Sequence, residues 1–165
     1  MFRTARSDES HHARRYLGGL VSCAPRKNME RMNERLHPGE HDYEGMQHFL
    51  SGSPWSQRAV WDFTASKANE RLGGHPQSLL LIDESALSKK GQASAGVARQ
   101  HNGRLGKQDN CQVGVFSALN CGVHSALVGA RLFLPDEWVE DPARCKKAGV
   151  PEAEIKPRTK IQLAR

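Results

Sequence analysis

The chain has 165 residues, with 24 lysines and arginines against 18 aspartates and glutamates, for a net charge of +6. That length suits one medium domain, or one domain behind a short helical lead, with enough core to fold unaided. No run approaches the roughly 18 apolar residues of a membrane span, and the opening MFRTARSDESHHARRY lacks the apolar stretch of a signal peptide, so a cytoplasmic protein is the expectation.

From Asp8 to about Leu36 the sequence is charged and helix-friendly, and RKNMERMNERL spaces Met29, Met32 and Leu36 three and four residues apart. Two helices broken at Pro25 are predicted. HPGEH supplies a turn. A third helix follows, with Tyr43, Met46, Phe49 and Leu50 on one side and Gly52 and Pro54 as its stop. A fourth runs from about Ser56 to Leu72, with Val60 and Phe63 facing inward. The first 75 residues therefore read as all-helical.

At Gly73-Gly74-His75-Pro76 turn residues give way to LLLID, a short unalternating apolar run of the kind found in strands buried on both faces. A domain boundary near residue 75 follows. LLLID reads as a strand ending on Asp83 and Glu84. A glycine-rich basic loop occupies residues 88 to 109, with room for a short strand in SAGVARQ. CQVGVFSAL and HSALVGARLFL then form a β-hairpin turning at Asn120, Cys121 and Gly122. Asp136 to Gly149 reads as one helix, acidic first and basic last as the helix dipole prefers. TKIQLAR reads as two turns of a further helix.

Between Ser85 and Gln108 stand Lys89, Lys90, Arg99, Arg104, Lys107 and His101, without one acid, a patch of single sign suited to a polyanion. Arg14, Arg15, Arg26 and Lys27 form either a DNA-facing strip or a solvated helix face. Trp55, Trp61 and Trp138 read as packing residues in preference to base-stacking ones. Cys23, Cys111, Cys121 and Cys145 include no C-x-x-C pair, which predicts free, mostly buried thiols. His37 and His41 read as a solvated turn, and Cys121 and His124 as hairpin-tip residues.

A strand ending in Asp-Glu has three readings. The carboxylates can cap a turn. They can be the magnesium-binding strand of an ATPase, which requires a G-x-x-x-x-G-K-[ST] loop upstream that is absent here. Or the aspartate can be one ligand of a two-metal nucleic-acid enzyme, in which paired cations clamp the attacking and leaving oxygens of a phosphodiester. A basic loop beside such a site would neutralise substrate phosphates.

Four stretches resemble the bacterial insertion-sequence transposases that carry an Asp-Asp-Glu (DDE) triad: RKNMERM, MQHFLSGSPW, LIDESALSKKGQASAGVARQHNGRLGKQDNCQVGVFSAL and LFLPDEWVEDPARCKKAGVP. They occur in order over about residues 16 to 160. The resemblance implies that Asp83 is the first triad aspartate, a catalytic residue and a ligand of divalent metal (Mg2+), with Glu84 beside it in the second shell. It also implies a mixed α/β architecture: a helical DNA-binding or dimerising region over 1–75, then the first half of a ribonuclease-H-like fold over 76–165.

The implied partners are DNA at the ends of a mobile element, a second copy, or a longer transposase. Ala86 and Leu87 stand where relatives often carry a glycine and an aromatic. The second aspartate and the glutamate of the triad fall beyond the counterpart of Arg165, and Asp136, Glu137, Glu140 and Asp141 lie in a stretch the family does not use for its triad. The chain thus reads as the N-terminal part of a transposase, from a truncated or frameshifted reading frame. It would be inactive alone, or would serve as a non-catalytic DNA-binding or dimerising module that interferes with intact enzyme.

Overall fold

A computed structural model describes residues 2–3, 7–22, 27–39 and 42–164. They fall into two compact units, Met1–Val60 and Trp61–Arg165. Helices come first and an antiparallel sheet second, a mixed α+β arrangement. Among the described residues no helix is long and apolar enough to cross a membrane.

The first unit holds α1 (Ser10–Ser22), α2 (Met29–Leu36) and α3 (Tyr43–Ser51). Asn28 starts α2, its side chain accepting the N–H of Arg31 at 2.9 Å, and Gly52 ends α3. The predicted break at Pro25 lies outside the described residues. Apolar spacing does place Met32, Met46 and Phe49 in the interior, but Tyr43 is exposed. Gly19 of α1 lies against Met32 so closely that a Cβ would stand 2.6 Å from the Met32 Cβ, so only glycine fits.

Arg15 serves neither a DNA-facing strip nor a solvated face. It is buried, donating to Asn33 Oδ1 at 2.8 Å and to Asp42 Oδ2 at 3.3 Å, because a guanidinium inside a small helical unit must be paired. Trp55 stacks on Phe49 with ring centroids 5.7 Å apart and donates its indole N–H to the Phe49 carbonyl, a packing role.

The fourth helix, α4 (Gln57–Leu72), buries only Ala68. Phe63 does not face inward as its spacing suggested; it is half exposed, with Lys67 Nζ 5.9 Å from its ring centre. The sequence of α4 lacks an apolar stripe, so no single face is selected for burial.

After α4 comes a four-stranded antiparallel sheet of β1 (Ser78–Ser88), β2 (Ala98–Asn102), β3 (Lys107–Cys121) and β4 (His124–Leu132). β3 is central. Residues 111–121 pair with β1; on the other flank β2 pairs with 107–111 and β4 with 114–121. The β3–β4 hairpin turns through Gly122, at φ +58°, and Val123, and the Asn120 amide holds the turn by bonding Ser125 Oγ at 2.8 Å.

The predicted 136–149 helix is two: α5 (Asp136–Val139) and α6 (Pro142–Lys147). Pro142 disfavours helical backbone in the residue before it, and Asp141 instead caps α6 by accepting the Arg144 N–H at 2.9 Å. Trp138, Leu134 and Cys145 make the core under these helices. Trp138 is fully buried and donates its indole N–H to the Val97 carbonyl at 2.8 Å, so it packs and does not stack on bases. The last helix, α7 (Lys160–Leu163), is one turn, opened by a capping box between Thr159 and Gln162.

Candidate functional site

β1 carries the candidate acid, and its pleat decides what that acid can meet. Side chains alternate along a strand and paired residues share a face. Asp83 therefore lies with Leu79, Leu81, Ser85 and Leu87 on the face of Phe116, its partner in β3. Glu84, Ala86 and Ser88 lie on the other face, opposite Val115, Val113 and Cys111, which are buried.

Glu84 is thus turned away from the Asp83 carboxylate. Its own carboxylate receives Lys160 Nζ from α7 at 2.5 Å, and that ammonium lies 5.5 Å from the centre of the Phe133 ring. The support Glu84 gives Asp83 is through the backbone: its N–H donates to Asp83 Oδ1 at 2.8 Å. Asp83 is exposed, and no salt bridge neutralises it among the described residues.

Two expectations about β1 need correction. The strand does not end at Asp83-Glu84; the ladder continues unbroken to Ser88 against Cys111, because hydrogen bonding to β3 outweighs the low strand preference of acidic residues. Nor is LLLI buried on both faces. Leu79, Leu80, Leu81 and Ile82 are 42–61% exposed, because the strands beside β1 lie in the same sheet and leave both of its faces uncovered there among the described residues.

The longer strand moves the basic residues away from the acid. Lys89 and Lys90 follow β1 at its far end, six and seven residues or about 20 Å past Asp83. Arg99, opposite Asn110, shares the face of Asp83 but is also about 20 Å along β3 from Phe116. Lys107 is nine residues from Phe116, about 30 Å, and Arg104 lies beyond it in the β2–β3 turn. All five are exposed. The basic group surrounds the distal end of the sheet and does not adjoin the carboxylate.

Sequence patterning missed a polar cluster at the base of that end. Ser88 Oγ donates to Asp109 Oδ2 at 2.5 Å, and the Asn102 amide donates to both Ser88 Oγ and Asp109 Oδ2 at 3.2 Å. The Ser88 bond, then the Asn102 bond, hold the Asp109 carboxyl below its ordinary pKa. Burial pushes the thiols of Cys111 and Cys145 up, which leaves them unreactive packing groups. Both are free, as is the half-buried Cys121; Cys23 lies outside the described residues.

The residues present do not fit a pair of divalent cations. Two hard cations need several oxygen ligands, one of them bridging. Asp83 offers one carboxylate, Glu84 is committed to Lys160 on the opposite face, and no group of three His, Cys, Asp or Glu occurs among the described residues. Cys121 and His124 close the β3–β4 hairpin as expected, and His41 lies outside the described residues. Asp141 is spent on capping α6, and Glu137 faces Arg144 at 3.5 Å.

Comparison with known proteins gives a family. Residues 2–165 match the family described as DDE superfamily endonuclease. A curated relative, the probable transposase for insertion sequence element IS701 of Microchaete diplosiphon, is 32% identical over 125 residues. That alignment covers 75% of this chain and 31% of the relative, so the chain spans about a third of the relative's length. No solved structure matches.

Proposed function

The chain belongs to the DDE superfamily endonucleases, and from that premise we propose that residues 76–165 are the opening half of a ribonuclease-H-like catalytic domain in an insertion-sequence transposase. Asp83 is its first triad acid, and residues 1–75 form a DNA-binding or dimerising lead. The observation that carries the reading is the state of Asp83. It is a solvent-facing carboxylate on the apolar strand β1, oriented by the Glu84 N–H and left without a cation among the described residues. Such a group is available to a metal ion, whereas a purely structural carboxylate would be consumed by a cap or an ion pair.

The sheet supports the same reading. β1 has an edge with no partner among the described residues, and its exposed leucines call for cover on both faces. In a ribonuclease-H-like domain further strands and a helix occupy those positions and bring the remaining acids. The complete enzyme would cleave and join DNA at the ends of a mobile element with Mg2+ bound by the full triad. Residues 1–165 alone do not cut DNA, because one carboxylate cannot hold the charge that the reaction needs.

A second reading, a non-catalytic DNA-binding or dimerising module, is favoured by the acid-free basic group between residues 85 and 108. A nicking assay at low salt with added Mg2+ tests both. The expected result is DNA binding that weakens with salt, without nicking, by the 165-residue chain. In a longer transposase carrying these residues, Asp83→Asn should abolish cleavage and leave binding intact. Undiminished cleavage by that variant would remove Asp83 from the triad, and no binding at any salt would remove the module.

A further inference from the structure

We propose that the tip of the β2–β3 hairpin enters the minor groove of duplex DNA, with Arg104 in the groove and Leu105 against a base step. The inference rests on the DNA role above and names the part of the chain that grips the duplex.

Leu105 is 46% exposed at the apex of Asn102-Gly103-Arg104-Leu105-Gly106-Lys107. A leucine there serves no core. The turn is closed by the Leu105 N–H on the Asn102 carbonyl at 3.0 Å, and Gly106 takes φ +63°, open to glycine without strain. A Cβ added to Gly103 or Gly106 would meet nothing within 4 Å, so the two glycines leave the apex bare on both flanks. Only Arg104 and Leu105 project between them.

That shape suits a groove about 6 Å wide better than one about 12 Å wide. Arginine with an apolar wedge is also the pairing that minor-groove proteins use to sense groove width and unstack a step. A ribbon laid flat in the major groove would instead read bases from the rungs behind the apex. The first rung is Asn102 with Lys107, and Asn102 is 1% exposed, committed to Ser88 and Asp109. The same bonds fix the base of the hairpin, so little ordering remains to be done on binding.

Charge surrounds the tip in the right places for flanking phosphates. Lys107 stands just behind it, and Arg99 and Lys89 flank Asn110 on its two sides, Lys89 donating its N–H to the Asn110 carbonyl. The tip is about 30 Å along β3 from Phe116, the partner of Asp83. A duplex held there is gripped close to one helical turn from the acid, so the tip holds DNA and takes no part in the chemistry.

Fluorescence anisotropy with the 165-residue chain at low salt tests the proposal on three duplexes: A·T-rich, G·C-rich, and inosine·cytosine in place of G·C. Inosine removes the guanine amino group from the minor groove and leaves the major-groove acceptors unchanged. The expected order is A·T and inosine·cytosine alike, both about tenfold tighter than G·C, with displacement by the minor-groove drug netropsin. Arg104→Ala and Leu105→Ser should each weaken A·T binding about tenfold and erase the preference. Circular dichroism checks that these exposed substitutions leave the fold unchanged.

Salt-sensitive binding that is equal on all three duplexes and indifferent to both variants overturns the minor-groove assignment while the DNA role stands. Absence of binding to every duplex overturns both.

Discussion

Lys160 Nζ lies 2.5 Å from Glu84 Oε2, tying α7 to the face of β1 opposite Asp83. The two side chains are 35% and 42% exposed, so solvent screens the pair and its contribution is at most about 1 kcal/mol. Lys160→Met should lower the melting temperature by a few degrees at low salt and by less at high salt. Thermal melts followed by circular dichroism at two ionic strengths check this; a large, salt-independent loss would contradict the screened pair.

Trp138 should be the least replaceable side chain of the second unit. It has no exposed surface, it fills the core with Leu134 and Cys145, its indole bonds the Val97 carbonyl, and the Arg144 guanidinium lies 3.9 Å over its ring. Trp138→Ala is expected to cost about 3–5 kcal/mol, enough to unfold a marginal sheet. Trp138→Phe keeps most of the volume and should cost about 1–3 kcal/mol for the lost bond. Urea titrations of both variants give the comparison.

The Ser88–Asn102–Asp109 cluster predicts an acid limb in stability. The bonds to Ser88 and Asn102 lower the pKa of Asp109 in the folded chain below its ordinary value of 3.8. A lowered folded pKa contributes stability that is complete above the unfolded pKa and is lost as pH falls through the folded one. The loss therefore begins near pH 4 and continues below it. Asp109→Asn should flatten that limb in melts taken from neutral to acid pH, with Ser88→Ala reducing it in part.

Exposed β1 predicts poor solubility for residues 1–165. Leu79, Leu80, Leu81, Ile82 and Leu87 are each at least 42% exposed on a strand with one edge unpaired among the described residues, which offers both apolar surface and backbone donors to other chains. Leu81→Lys, on the face of Asp83, should raise the concentration at which light scattering appears without lowering the melting temperature. A monodisperse wild-type chain at high concentration would remove the premise.

Much of this was legible in the residues. Met32, Met46 and Phe49 are interior as their helical spacing required, the β3–β4 hairpin turns where Gly122 allows it, and Trp55 and Trp138 pack. A break at Pro142 could also have been read, since proline after aspartate is a helix start. The family, too, was legible as a resemblance carried by four stretches in order, which the match over residues 2–165 bears out.

Partners contributed by distant segments were not legible. Apolar runs announce a strand but not how far pairing will extend it, so β1 runs five residues past Asp83 on hydrogen bonds supplied by β3. That extension carries Lys89 and Lys90 away from the carboxylate beside which the one-dimensional order had set them. Arg15 looked like surface charge until Asn33 and Asp42 closed around it. Local patterning thus determined element types, because those depend on neighbours in the chain, and resemblance to known sequences supplied the kinship. The pleat, the ladder and long-range ion pairs decided which way Asp83 and Glu84 face and what each can touch, because only tertiary contacts set those.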